Sequence, residues 1–432
     1  MLDKSCTYDA VGSCDSSAAG SCQNETAACI SRRGFLAAAL AAAGALAGSA
    51  LAGCKPRPED EAPGLIPNPT FDVEFSEPIL TDRDRPETEI DRLLQSLDLR
   101  QKLAQMFIVR PEQMGEATSA GWQTRDFMQQ WPVGGVAYFG SNLVDYGQTV
   151  ALLRDTMQIS LEASGIPPFL CVDEEGGSVS RIGGTPGFGI ANVGDMRDVG
   201  ASGDIGYARQ VATRLAGYLS PLGFNVDFAP VCDIADNPSN NTMRRRCFGD
   251  KSELVAAMAE AQVAGFLESG LLCSAKHFPG IGGVAGDSHF GAITSEQTLE
   301  QLWESELLPF QAAIQAKVPF VMVGHLSLPN VSGDGLPASL SPAVIEGLLR
   351  ELLGFTGLVI TDSLEMSAVN GNYASGSSAL MAFQAGCDIA LLPDDFEAAF
   401  MQLLAAVEQG EISEARIDQS VRRILLAKSG LA

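Results

Sequence analysis

From Asp91 onward the chain alternates short, nearly uninterrupted apolar runs with longer stretches whose apolar residues recur every three or four positions. The runs are Gln105–Val109, Gly135–Phe139, Pro168–Val172, Asn225–Ala229, Leu271–Ala275, Pro319–Val323, Leu358–Thr361 and Asp388–Leu392. Segments such as Leu254–Leu267 and Leu299–Ala316 lie between them and carry helical spacing. Strands that are apolar throughout, separated by helices, belong to a parallel sheet covered on both faces. Eight such units are the number that closes a (β/α)8 barrel of the TIM type, and that single-barrel α/β architecture is the expectation. An open, doubly wound sheet is the alternative. The 45 glycines suit many tight strand-to-helix corners. Long loops are expected at Ile182–Gly206 and Gly280–Thr294.

Residues 1–53 and 54–90 have a different character. Ser31-Arg32-Arg33-Gly34-Phe35-Leu36 opens an Ala-rich apolar stretch that closes at Leu51-Ala52-Gly53-Cys54. Paired arginines before a modestly hydrophobic segment read as a twin-arginine export signal. The small-residue ending matches a lipoprotein box, with Cys54 as the lipidated residue. An uncleaved membrane helix is the competing reading. The upstream Cys6, Cys14, Cys22 and Cys29 have no physical explanation here. Seven prolines and a run of acids between Cys54 and Ile90 describe an extended tether, with the barrel at 91–432. The expected place is the outer face of the cytoplasmic membrane, held by the N-terminal lipid, and a monomer is expected. The remaining cysteines, Cys171, Cys232, Cys247, Cys273 and Cys387, are odd in number and sit mostly in apolar runs, unlike a disulfide framework. Acids outnumber bases 53 to 28, so the basic footprint of a nucleic-acid partner is missing.

Catalytic groups of a barrel sit where strands exit into loops. The third run ends in Asp173-Glu174-Glu175-Gly176-Gly177, followed by Arg181. The fifth ends in Lys276-His277-Phe278-Pro279-Gly280, the sixth in Gly324-His325 and the seventh in Asp362. The chain has only three histidines; His277 and His325 follow strands and His289 lies in the long loop after the fifth. Histidines and acids gathered on one rim describe a polar pocket.

Ala275–Gly280 followed by Gly286-Asp287-Ser288-His289 resembles glycoside hydrolase family 3, in particular its single-domain bacterial β-N-acetylglucosaminidase branch. Asp173–Gly177 with Arg181, Asn225–Asp233, Arg246–Gly249 and Val359–Met366 match in the same order, covering the chain from Leu97 to its end. The resemblance implies Asp362 as nucleophile and the Asp287/His289 pair as general acid/base. It places Asp173, Arg181, Arg246, Lys276 and His277 at sugar-binding positions, and implies no cofactor and no metal. Two departures, Ile281 where the family often has His and Ser178 where it often has Arg, bear on the leaving-group side.

The chemistry agrees with those assignments. Retaining hydrolysis needs an anion on one face of the sugar and a proton donor at the leaving oxygen. An imidazole can give and retake a proton near neutrality, and Asp287, two residues before His289, can fix its tautomer. The glycines around the pair would let the loop swing over bound sugar. For Arg246 the competing reading is a salt bridge to Asp233; Glu175 is ambiguous between orienting Arg181 and holding backbone, and Asp388 reads as a barrel-closing residue. The expected activity is exo-hydrolysis of N-acetylhexosamine from peptidoglycan fragments or chitin-type oligomers. A phosphorylase or another β-glycosidase of the same family, a non-catalytic wall-binding lipoprotein, and a metal hydrolase using the three histidines remain alternatives.

Overall fold

The computed structural model describes residues 89–284, 293–370, 373–374 and 376–431. Cys54, the export signal and most of the tether lie outside the described residues, as do Asp287 and His289. Described structure begins with helix Glu89–Ser96, two residues before the expected start of the folded part.

All eight apolar runs contain strands: β1 Phe107–Val109, β2 Gly135–Tyr138, β3 Phe169–Val172, β4 Val226–Asp227, β5 Leu272–Phe278, β6 Phe320–Val323, β7 Leu358–Thr361 and β8 Ala390–Leu391. Each pairs in parallel with its neighbours in chain order, and β8 returns to pair with β1. The last seam is a parallel bridge between Ile360 and Ile389, with the Thr361 amide donating to the Ile389 carbonyl at 3.1 Å. The ring is therefore a barrel and not an open sheet. A helix follows every strand, from Trp122–Gln130 after β1 to Phe396–Glu408 after β8, and Glu414–Lys428 ends the described chain.

Phe169 of β3 and Phe320 of β6 meet edge to face at 5.2 Å. These strands are not neighbours, so the rings meet through the interior and floor the barrel. Lys428 reaches the same floor, its Nζ 4.8 Å from the Phe169 ring and 2.7 Å from Gln105 Oε1. Outside, Phe107 packs edge to face on Phe383 and Phe396 of the last helices.

The expected helix Leu254–Leu267 occurs as Ser252–Glu268. Leu299–Ala316 is instead two helices, Leu299–Glu304 and Leu307–Gln315, broken at Ser305 and Glu306. Pro309 is the physical reason: it has no N–H for the turn before it and its ring crowds that turn's carbonyl, so the helix restarts just upstream. The Ile182–Gly206 loop contains a short helix, Met196–Ala201.

Asp388 closes the barrel, as expected, and does so as a buried hub. It accepts from Arg350 at 2.5 Å, Ser420 at 2.5 Å, Arg423 at 3.0 Å and the Val359 amide at 3.0 Å. Burial alone would raise its pKa; the surrounding arginines outweigh that and hold it below the ordinary value.

Candidate active site

At the C-terminal ends of the strands lies a cavity of about 620 Å³. Asp173, Arg181, Arg246, Lys276, His277 and Asp362 all line it, so six of the eight predicted site residues share one space. The other two, Asp287 and His289, follow Val284 beyond the described residues.

Lys276 and His277 continue β5. The pairing of β5 with β6 shifts register between Lys276 and Phe278, and the consecutive Lys276 and His277 both line the pocket, with Lys276 almost fully buried. Its Nζ lies 2.6 Å from Asp173 Oδ1 and 2.6 Å from Glu175 Oε1. Arg246 grips the same Glu175 with both arms of its guanidinium, Nε to Oε2 at 2.8 Å and Nη2 to Oε1 at 2.7 Å. Burial works against the Glu175 anion, yet Arg246 and Lys276 together hold its carboxyl far below the usual range. Glu175 therefore neither orients Arg181 nor serves the backbone; it is the counter-ion that keeps two cations at the pocket floor. The Arg246–Asp233 pair is likewise not formed, because Glu175 takes the guanidinium.

Asp233 holds His277 instead. Its Oδ2 is 2.7 Å from His277 Nδ1, while Arg246 Nη2 lies 3.3 Å from Nε2. The Asp233 carboxylate can only accept, so Nδ1 of His277 carries a proton. Arg181 is organised by Glu174, whose carboxylate accepts the amides of Arg181, Ile182 and Gly183 at 2.6, 3.0 and 2.8 Å. Tyr218 and Ser180 complete that cage. The Arg181 Nε is buried without a hydrogen-bond partner among the described residues.

Asp362 follows β7, its amide donating to the Val323 carbonyl at 2.8 Å. The Ser363 amide donates to Oδ1 at 2.8 Å. Burial would raise this carboxyl, but His277, His325, the Ser363 amide and Lys276 prevail, and its pKa lies below the ordinary value. His325 also fixes the turn. Its Nε2 lies 2.9 Å from the Ser363 carbonyl and can only donate there, while Nδ1 lies 2.7 Å from Ser339 Oγ. It is a structural anchor of Asp362, with both ring nitrogens occupied. Such an arrangement offers an ionised carboxylate facing a wall of fixed donors across a sugar-sized space.

The glycosyl hydrolase family 3 N-terminal domain model matches residues 98–427. The chain belongs to glycosyl hydrolase family 3. Within the family, β-hexosaminidase LpqI of Mycobacterium tuberculosis is 33% identical over 346 residues, covering 77% of this chain and 83% of the relative. β-Hexosaminidase A of Pseudoalteromonas piscicida is 31% identical over 331 residues, 71% of this chain and 55% of that one. Among solved structures, a family 3 β-N-acetylglucosaminidase from Paenibacillus sp. superposes with a TM-score of 0.73 at 39% identity, over 78% of this chain and 63% of that one. This chain thus spans less than two thirds of the length of two of these three proteins.

Glu174, Glu175, Asp233 and His325 carry much of the site's order without having been assigned a role in it from sequence. Three acids in a row at the end of β3 signal a carboxylate-rich corner. Their division of labour follows from alternation: Asp173 and Glu175 serve the pocket side, and Glu174 serves the loop behind it.

Proposed function

We propose that this protein is a retaining exo-β-N-acetylglucosaminidase that removes terminal N-acetylhexosamine from peptidoglycan fragments or chitin-type oligosaccharides. The relatives named β-hexosaminidase and the Paenibacillus β-N-acetylglucosaminidase support the substrate class. The observation that carries the reading is Asp362, kept anionic at the end of β7 and facing Lys276, Arg246 and His277 across a single pocket.

In this reading the Asp362 carboxylate attacks the anomeric carbon as the bond to the leaving oxygen breaks. His289 gives its proton to that oxygen, then takes one from the water that releases the sugar from Asp362. Asp287 orients the imidazole by accepting from its other nitrogen. Asp173 accepts from two sugar hydroxyls, while Lys276, Arg181 and Arg246 donate and His277 Nδ1 stays with Asp233. The ion pairs of Glu175 with Lys276 and Arg246 prevent those two cations from collapsing onto the nucleophile.

Residues 1–53 act as a twin-arginine lipoprotein signal in this reading, and Cys54 carries the lipid that holds a monomeric enzyme on the outer face of the cytoplasmic membrane. The spacer to residue 90 gives the pocket reach into the wall. The test is to assay aryl N-acetylglucosaminide, glucosaminide and glucoside side by side. Preference for the N-acetylated sugar supports the assignment, and preference for glucoside rejects it.

A further inference from the structure

Glu306, at the break between the two helices after β5, is 1% exposed, and its Oε2 is buried with no hydrogen-bond partner among the described residues. It lies against the stem 280–284, which leads from β5 toward Asp287 and His289. A Cβ placed on Gly280 would lie 2.8 Å from Glu306 Oε2, and one on Gly283 would lie 3.0 Å from Oε1. Gly280 has φ +118°, a conformation that other residues rarely adopt, and the carboxyl fills the space their side chains would need. The same Cβ on Gly283 would be 3.0 Å from Asp236 Oδ1, so the stem is flanked by two carboxyl groups.

The rest of the stem is pinned by the loop after β4. Asp233 Oδ1 accepts the Ile281 amide at 2.7 Å. Asn237 donates to the Gly283 carbonyl at 3.2 Å, and Asn240 donates to the carbonyls of Ile281 and Val284 at 3.1 Å each. Glu306 contributes packing where these contribute hydrogen bonds. Among the described residues, the titratable groups that face it are Asp233, Asp236 and the Cys247 thiol, none of them a cation. Burial first, and then the two aspartates, push its carboxyl up to about 8.

We infer that Glu306 is a positioning residue that seats the 280–284 stem and thereby aligns the proton donor with the leaving oxygen. The inference rests on His289 being that donor. Ionisation would set a third negative charge beside Asp236 and Asp233, and the repulsion would fall on Asp233, the group that holds the Ile281 amide of the stem.

The experiment pairs Glu306→Ala and Glu306→Gln with His289→Ala, on one alkyl and one dinitrophenyl N-acetylglucosaminide. Glu306→Ala should lower kcat on the alkyl substrate about tenfold or more, with KM and the dinitrophenyl rate little changed. In a His289→Ala background it should add nothing, because the group it aligns is gone. Glu306→Gln imitates the neutral acid, so its kcat should match the parent near pH 6.5. At pH 9 a group titrating near 8 is about nine-tenths ionised, and the Gln-to-parent ratio should approach about tenfold. Equal losses on both substrates for Glu306→Ala, multiplicative losses in the double variant, or a ratio flat with pH would overturn the inference. If His289→Ala alone slows both substrates equally, the donor assignment fails instead. The Gln-to-parent ratio then still reports on Glu306, as it does if Glu306→Ala does not fold.

Discussion

Asp362 works through its neighbours, and the consequences of substitution follow from which neighbour is touched. Asp362→Asn keeps the shape and the Ser363 amide contact while removing the negative charge. We expect release from an aryl N-acetylglucosaminide to fall to background, with circular dichroism and thermal midpoint near the parent's. His289→Ala should slow substrates with poor leaving groups far more than activated aryl ones, because only the former need a proton. Equal losses on both would remove His289 from the donor role. At this scale the sequence was informative wherever a residue lies at or just past the end of a strand: Asp173, Lys276, His277 and Asp362 all line the pocket. It was silent on partners distant in the chain. Glu175 meets Arg246 across 71 positions and His277 meets Asp233 across 44, and no local pattern encodes such pairings.

The strands and helices raise stability questions that do not concern catalysis. Lys428, on the last helix, is buried under the barrel floor, and desolvation lowers its pKa to about 7. A lysine whose folded pKa is depressed favours the unfolded state while it is charged. Its cost is therefore in full force below pH 7 and is relieved as pH rises toward the unfolded value near 10.4. Lys428→Met should raise the thermal midpoint clearly at pH 6 and much less at pH 10; an equal gain at both would contradict the desolvation argument. Asp388→Ala should do the opposite. It leaves Arg350 and Arg423 buried without their carboxylate, and urea unfolding should show a loss of about 3–5 kcal/mol. The eight strands were legible because a strand buried on both faces must be apolar along its whole length. The break at Ser305–Glu306 was not, because apolar spacing runs straight through it and only Pro309 marks the restart.

For the whole molecule, the barrel brings residues that are nearly 190 positions apart in sequence, Asp173 and Asp362, to one cavity. Closure of the ring at Ile360 and Ile389 lets the last strands face the third and fifth across it. A protein carrying 53 acids concentrates Lys276, Arg181 and Arg246 at this mouth, which suits a hydroxyl-rich substrate near a single working carboxylate. Phosphate should not divert the product to sugar 1-phosphate if the enzyme is a hydrolase; accumulation of that product would make it a phosphorylase. The covalent role of Asp362 is tested most directly with a fluorinated N-acetylglucosaminyl fluoride, which forms the glycosyl-enzyme faster than water removes it. Peptide mapping by mass spectrometry should find one N-acetylhexosaminyl adduct, on the peptide containing Asp362 and absent from Asp362→Asn. A label on another carboxylate, or turnover with inverted anomeric configuration and no adduct, would contradict it.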